Sequence, residues 1–132
     1  MEKGRIGLYT LLIVDDEEIE REGMAQFIPW DSYEMKVVST ARNGAEGLEK
    51  IAKYRPDLAI VDIKMPVMNG LEATKIIRES NTEIPIIMQT AYAFSSDKEN
   101  AMNAGATEVL VKPITLSILR TTLSKYLPDL QW

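Results

Sequence analysis

The chain contains no histidine and no cysteine. Without cysteine there is no disulfide, no thiolate metal site and no thiol nucleophile. Without histidine there is no serine-histidine-aspartate triad, no imidazole metal ligand and no phosphohistidine within the chain. Basic residues are outnumbered, 15 against 20 acidic ones, for a net charge of −5. That balance argues against a nucleic-acid or anionic-membrane surface formed by the whole domain. No apolar run approaches the roughly 20 residues that span a bilayer, and no signal-peptide pattern opens the sequence. Any chemistry here must use carboxylates, hydroxyls, lysine and a hard metal ion.

The 132 residues, 45% of them hydrophobic, suffice for one domain with a proper core, taken as 1–132. Short apolar runs at 8–14, 35–40, 58–61, 84–89 and 109–111 read as strands. Between them lie helical patterns at 17–28, 43–54, 70–80, 97–104 and 115–127. Pro29 blocks the first helix, Asn43 suits an N-cap, Asn69-Gly70 makes a turn and Gly105 stops the fourth helix. Ile19, Gly23, Met24, Phe27 and Ile28 fall on roughly one side of the first helix. Ala45, Leu48, Ile51 and Ala52 share a face of the second, and Ala73, Ile76 and Ile77 are expected to point inward from the third. Leu116, Leu119, Leu123 and Leu127 form a stripe on the last.

Near-continuous apolar strands alternating with amphipathic helices imply a parallel sheet covered on both faces. Right-handed crossovers leave the flavodoxin-like (βα)5 arrangement, with strand order 2-1-3-4-5, as the expected fold. Ligands then bind beyond the carboxyl ends of the strands, at the switch between strands one and three. Asp15 and Asp16 leave strand one and Asp62 leaves strand three. Thr90 leaves strand four and Lys112 leaves strand five. Taken singly, each has an ordinary explanation: a helix-capping acid, a loop acid, a structural threonine, a solvated lysine. Delivered to one rim in this order, they form a site.

Three crowded carboxylates need protons or a cation at neutral pH. Oxygen-only ligands favour Mg²⁺, with Mn²⁺ as a substitute. Asp62 then becomes a nucleophile able to accept a phosphoryl group as an acyl phosphate. Lys112 offsets the growing charge and the Thr90 hydroxyl donates to a phosphoryl oxygen.

The segments IVDDEE, VDIKMPVMNG, QTAYA and VKPI resemble the motifs of the response-regulator receiver domain of two-component and phosphorelay signalling, over nearly the whole chain. The resemblance implies Asp62 as phosphorylation site, Asp16 as direct metal ligand and Asp15 as metal support mostly through water. It further implies the Lys64 backbone carbonyl as a ligand and a cis Lys112-Pro113 bond. The phosphodonor would be a histidine kinase or phosphotransfer protein. A downstream protein or attached output domain would be engaged through the fourth helix, fifth strand and fifth helix. The expected setting is the cytoplasm, with neither nucleic acid nor membrane bound directly. A signalling module is expected, not a turnover enzyme, though one that assists its own phosphorylation and dephosphorylation. Absence of output motifs reads as a single-domain regulator or a piece of a larger one.

Receivers commonly carry an aromatic residue three positions before the lysine; Val109 stands there. The surroundings of FIPW resemble receivers of transcription factors, and IIMQTAYAFSSDKENAMNAGA resembles receivers of hybrid kinases. A dehalogenase-type phosphatase would need an acid two residues after its nucleophile, where this chain has Lys64. A flavodoxin's phosphate loop would be repelled by Asp15-Asp16-Glu17-Glu18. The main alternative is a degenerate receiver, or an engineered receiver-like scaffold, acting only as a phosphorylation-independent interaction module. Such a module usually lacks the acceptor, an acid or the lysine, and this chain has all three.

Overall fold

The computed structural model describes residues 9–91 and 95–127. Five strands, β1 (Tyr9–Val14), β2 (Met35–Ala41), β3 (Leu58–Asp62), β4 (Ile86–Thr90) and β5 (Glu108–Val111), form one sheet. Its order is β2-β1-β3-β4-β5 and every neighbouring pair is parallel. Helices α1 (Glu18–Phe27), α2 (Gly44–Tyr54), α3 (Gly70–Ser80), α4 (Ser95–Ala104) and α5 (Leu116–Tyr126) fill the crossovers. This is the doubly wound arrangement expected from the alternation of apolar runs and amphipathic segments.

The inner strands β1, β3 and β4 are largely apolar because both faces of the sheet are covered, while the edge strands admit Lys36, Ser39 and Thr40 in β2 and Glu108 in β5. Leu11 and Ile13 of β1 join Leu58, Ile60 and Ile87 in one core cluster, closed by Trp30, Leu119 and Leu123. Leu12 and Val14 point the other way and join Ala59, Val61, Ile86, Met88, Ile77 and Ala101. The alternation follows directly from the two-residue period of a strand. Each fully buried leucine or isoleucine contributes about 1.5–3 kcal/mol of transfer free energy.

Side-chain caps fix the starts of α2, α3 and α5. The Asn43 side chain accepts from the Glu46 amide, and Thr115 accepts from the Ile118 amide. Asn69 and Glu72 exchange hydrogen bonds in a capping box at the start of α3. Gly70 tolerates no side chain, since a Cβ would collide with the Asp62 carbonyl oxygen. Gly105 ends α4 with φ +114°, where a side chain would be strained.

Several face assignments need correcting. Of the face expected for α1, Met24 and Ile28, the latter just past its end, pack against the core beside Ala25, whereas Ile19 and Phe27 are 88% and 84% exposed. Ile76 is 41% exposed, whereas Ala73, Thr74 and Ile77 carry the buried side of α3. Ala52 of α2 and Leu116 of α5 are also exposed. A helix turns about 100° per residue, so a stripe read from apolar letters alone can be off by one residue at its edge. Nor did any pattern of letters signal the short 3₁₀ turn Trp30–Tyr33 that follows Pro29. Leu8, assigned to the first strand, lies outside the described residues, as does most of the loop after Thr90.

Candidate functional site

Strand ends carry the polar residues of the site to one edge of the sheet. Asp15 follows β1 and is buried, while Asp62 closes β3 and is likewise buried. Parallel pairing of Val14 with Val61 sets these two acids side by side. Carboxylate oxygens of Asp15, Asp16 and Asp62 all lie within 4.8 Å of one another, with Asp16 the most open of the three. Thr90 closes β4 and is buried at the same edge. Lys112 follows β5, its amide donating to the Thr90 carbonyl at 2.8 Å, and the Lys112-Pro113 bond is cis. Asp16, Asp62, Lys64, Thr90 and Lys112 together line a cleft of about 260 Å³. All six residues singled out from the sequence are therefore gathered in one place.

The Lys112 ammonium is the positive centre. It lies 3.0 Å from Asp62 Oδ1 and 3.5 Å from Asp15 Oδ2. Three further residues, not singled out from the sequence, complete the arrangement. Glu20 Oε2 accepts from Lys112 at 2.8 Å. Gln89 Nε2 donates to Asp15 Oδ2 at 3.2 Å, and Arg21 Nη1 donates to the Asp15 carbonyl at 3.1 Å. The Asp15 Oδ1 atom accepts from the Glu17 amide at the start of α1. No local pattern marked Glu20, whose partner Lys112 is 92 residues away in sequence. Gln89 carried no signal either, since inside an apolar strand it reads as an ordinary core position.

Burial sets the electrostatics. Desolvation pushes the Asp62 carboxyl up to about 6, against the pull of Lys112 and with the charges of Asp15 and Asp16 adding to the rise. Asp15 is raised for the same first reason, although the Glu17 amide and Lys112 oppose it. Burial pulls the Lys112 amine down, but hydrogen bonds to Glu20 and Asp62 outweigh this and leave it above its ordinary value. The site is thus short of positive charge despite its lysine. A hard divalent cation fits it: the clustered donors are carboxylate oxygens, and burial holds back the ionisation of the two buried ones, Asp15 and Asp62, which a bound cation would favour.

A doubly wound sheet with an acidic cluster and a lysine at its carboxyl edge defines a class of signalling domain. The family model of the response regulator receiver domain matches residues 11–124. The chain belongs to that family. It is 38% identical over 108 residues to the transcriptional regulatory protein LnrK of Bacillus subtilis, covering 82% of this chain and 49% of that protein. It is 33% identical over 122 residues to the polar-differentiation response regulator DivK of Brucella anthropi, covering 91% of this chain and 97% of DivK. Among solved structures, the receiver domain of AraT, a response regulator of Geobacillus stearothermophilus, superposes with a TM-score of 0.82 at 34% identity. That match covers 92% of this chain and 95% of the AraT domain. The chain thus spans about half the length of LnrK and nearly all of DivK.

Proposed function

We propose that this receiver domain accepts a phosphoryl group on Asp62 from a phosphohistidine donor and uses it to switch a protein-interaction surface. The observation that carries the reading is the placement of the buried Asp62 carboxylate 3.0 Å from Lys112 and within 4.8 Å of Asp15 and Asp16. Asp62 attacks phosphorus and forms an acyl phosphate, while the bond from phosphorus to the donor imidazole nitrogen breaks with its electron pair. Lys112 stays protonated throughout and stands ready for the added oxygens, and the Thr90 hydroxyl donates to one of them. Asp15, Asp16, Asp62 and the Lys64 backbone carbonyl would hold Mg²⁺, or Mn²⁺ in its stead. When bound, the ion supplies positive charge against the phosphoryl oxygens.

The donor is a histidine kinase or phosphotransfer protein, since the chain has no histidine of its own. Exposed Ile19 and Phe27 on α1, the helix beside the cleft, support a protein donor over a small molecule. The output surface is the face of α4, β5 and α5. Exposed Met102, Leu116 and Ile118 support that choice. The partner there is a downstream protein or an attached output domain. The domain acts in the cytoplasm as a phosphoacceptor that assists its own phosphorylation and dephosphorylation, not as a turnover enzyme.

Incubation with acetyl phosphate and Mg²⁺ tests the reading. Intact mass is expected to rise by one phosphoryl group in the parent and to stay constant in Asp62→Asn. A folded parent whose mass does not change would instead leave a phosphorylation-independent interaction module.

A further inference from the structure

Lys112 has a carboxylate partner that phosphoryl acceptance does not use. Glu20, in the first turn of α1, is nearer to the ammonium than either acid of the cleft: 2.8 Å, against 3.0 Å for Asp62 and 3.5 Å for Asp15. An ammonium has three protons to donate, and three carboxylates stand within 3.5 Å of this one. The Glu20 side chain is 48% exposed and that of Lys112 only 18%. The glutamate can therefore swing into water at little cost, while the lysine is held by its surroundings. Glu20 also borders two adjoining spaces, the acidic cleft and a groove floored by Met24, Ile28, Pro113 and Ile114.

A phosphoryl group on Asp62 brings more negative oxygens to the spot where Lys112 already serves three acids. Something must yield, and the partner most easily released is the half-exposed one from the helix. We propose that Glu20 is a positioning residue that competes with the phosphorylated Asp62 for Lys112 and so weakens the hold of the site on a phosphoryl group. The inference rests on the phosphoacceptor reading given above. It adds an element outside that reading: a releasable tether between α1 and the active-site lysine. Removing the tether strengthens phosphoryl binding, and the covalent step itself is unchanged.

Beryllofluoride, a non-covalent phosphoryl mimic, titrated at saturating Mg²⁺ and followed by ¹⁹F NMR, tests this without requiring turnover. Glu20→Gln is expected to lower the beryllofluoride Kd roughly two- to fivefold, the range of a half-exposed ion pair. Glu20→Asp keeps the charge but withdraws the carboxylate by one methylene, and it is expected to gain in the same direction. Both changes are on an exposed side chain, and amide spectra establish that each variant is folded. Unchanged or weaker binding by Glu20→Gln overturns the proposal. So does a gain in Glu20→Gln that is absent in Glu20→Asp, because it would mean that charge at a distance acts rather than competition for the lysine. A parent that never binds beryllofluoride refutes the phosphoacceptor reading, and this proposal with it.

Discussion

At the scale of single residues, the site combines burial and like charge in a way that makes it costly when empty of cations. Asp62 titrates near 6 in the folded chain, against 3.8 for an ordinary aspartate, chiefly through desolvation. Between those two values the unfolded chain has lost the proton that the folded chain keeps. Stability therefore falls as pH rises through that window, and above it the full penalty remains. Each pH unit of displaced titration is worth about 1.4 kcal/mol. In the presence of a chelator, Asp62→Asn is expected to be more stable than the parent at pH 8 by roughly 1–3 kcal/mol, with a flatter profile between pH 4 and 7. Urea denaturation across that range checks it; an Asp62→Asn variant less stable than the parent at pH 8 would mean that Lys112 outweighs desolvation. The acids and the lysine were legible because each stands where an apolar run stops. Glu20 and Gln89 were not, because their roles exist only through contacts with Lys112 and Asp15, distant in sequence.

At the scale of elements, the starts of α2, α3 and α5 were legible because capping chemistry is local. By contrast, α1 starts without a side-chain cap, and α4 starts at Ser95, ahead of the Ser96 or Asp97 cap expected from the sequence. Which side of each helix faces the sheet was less legible. That rotation is set by packing against strands remote in sequence, and Ile76 and Leu116 sit at the margins of their stripes. The loop from β3 to α3 holds a further feature that no pattern announced. Val67 adopts φ +67° while 84% exposed, an unfavourable backbone for a β-branched residue that gains nothing from burial. Val67→Gly is expected to raise stability by about 1 kcal/mol, relief of strain exceeding the added freedom of the unfolded chain. A lower thermal midpoint in the glycine variant would show that the valine side chain makes a stabilising contribution there.

For the whole molecule, the strand order was legible because five buried parallel strands and right-handed crossovers admit few arrangements. How phosphorylation would be transmitted was not. Val109, partly buried against the core on the α4 side, replaces the aromatic residue common in receivers and cannot make the same large rotation. Coupling from the cleft to α4 and β5 is accordingly expected to be weak or to take another path. Amide spectra with and without beryllofluoride and Mg²⁺ separate the two: shifts confined to residues beside Asp62 mean weak coupling, and shifts that reach α4 and β5 mean that the output face is switched by another path.

The measurement that bears most directly on phosphoryl acceptance is the location of the modification. Acyl phosphates are reduced by borohydride, which converts a phosphorylated aspartate to homoserine, and fragmentation of the resulting peptides identifies the residue. After treatment with a phosphodonor and Mg²⁺, homoserine is predicted at position 62 alone. Homoserine at Asp15 or Asp16, or at no position in a folded protein, would contradict the account.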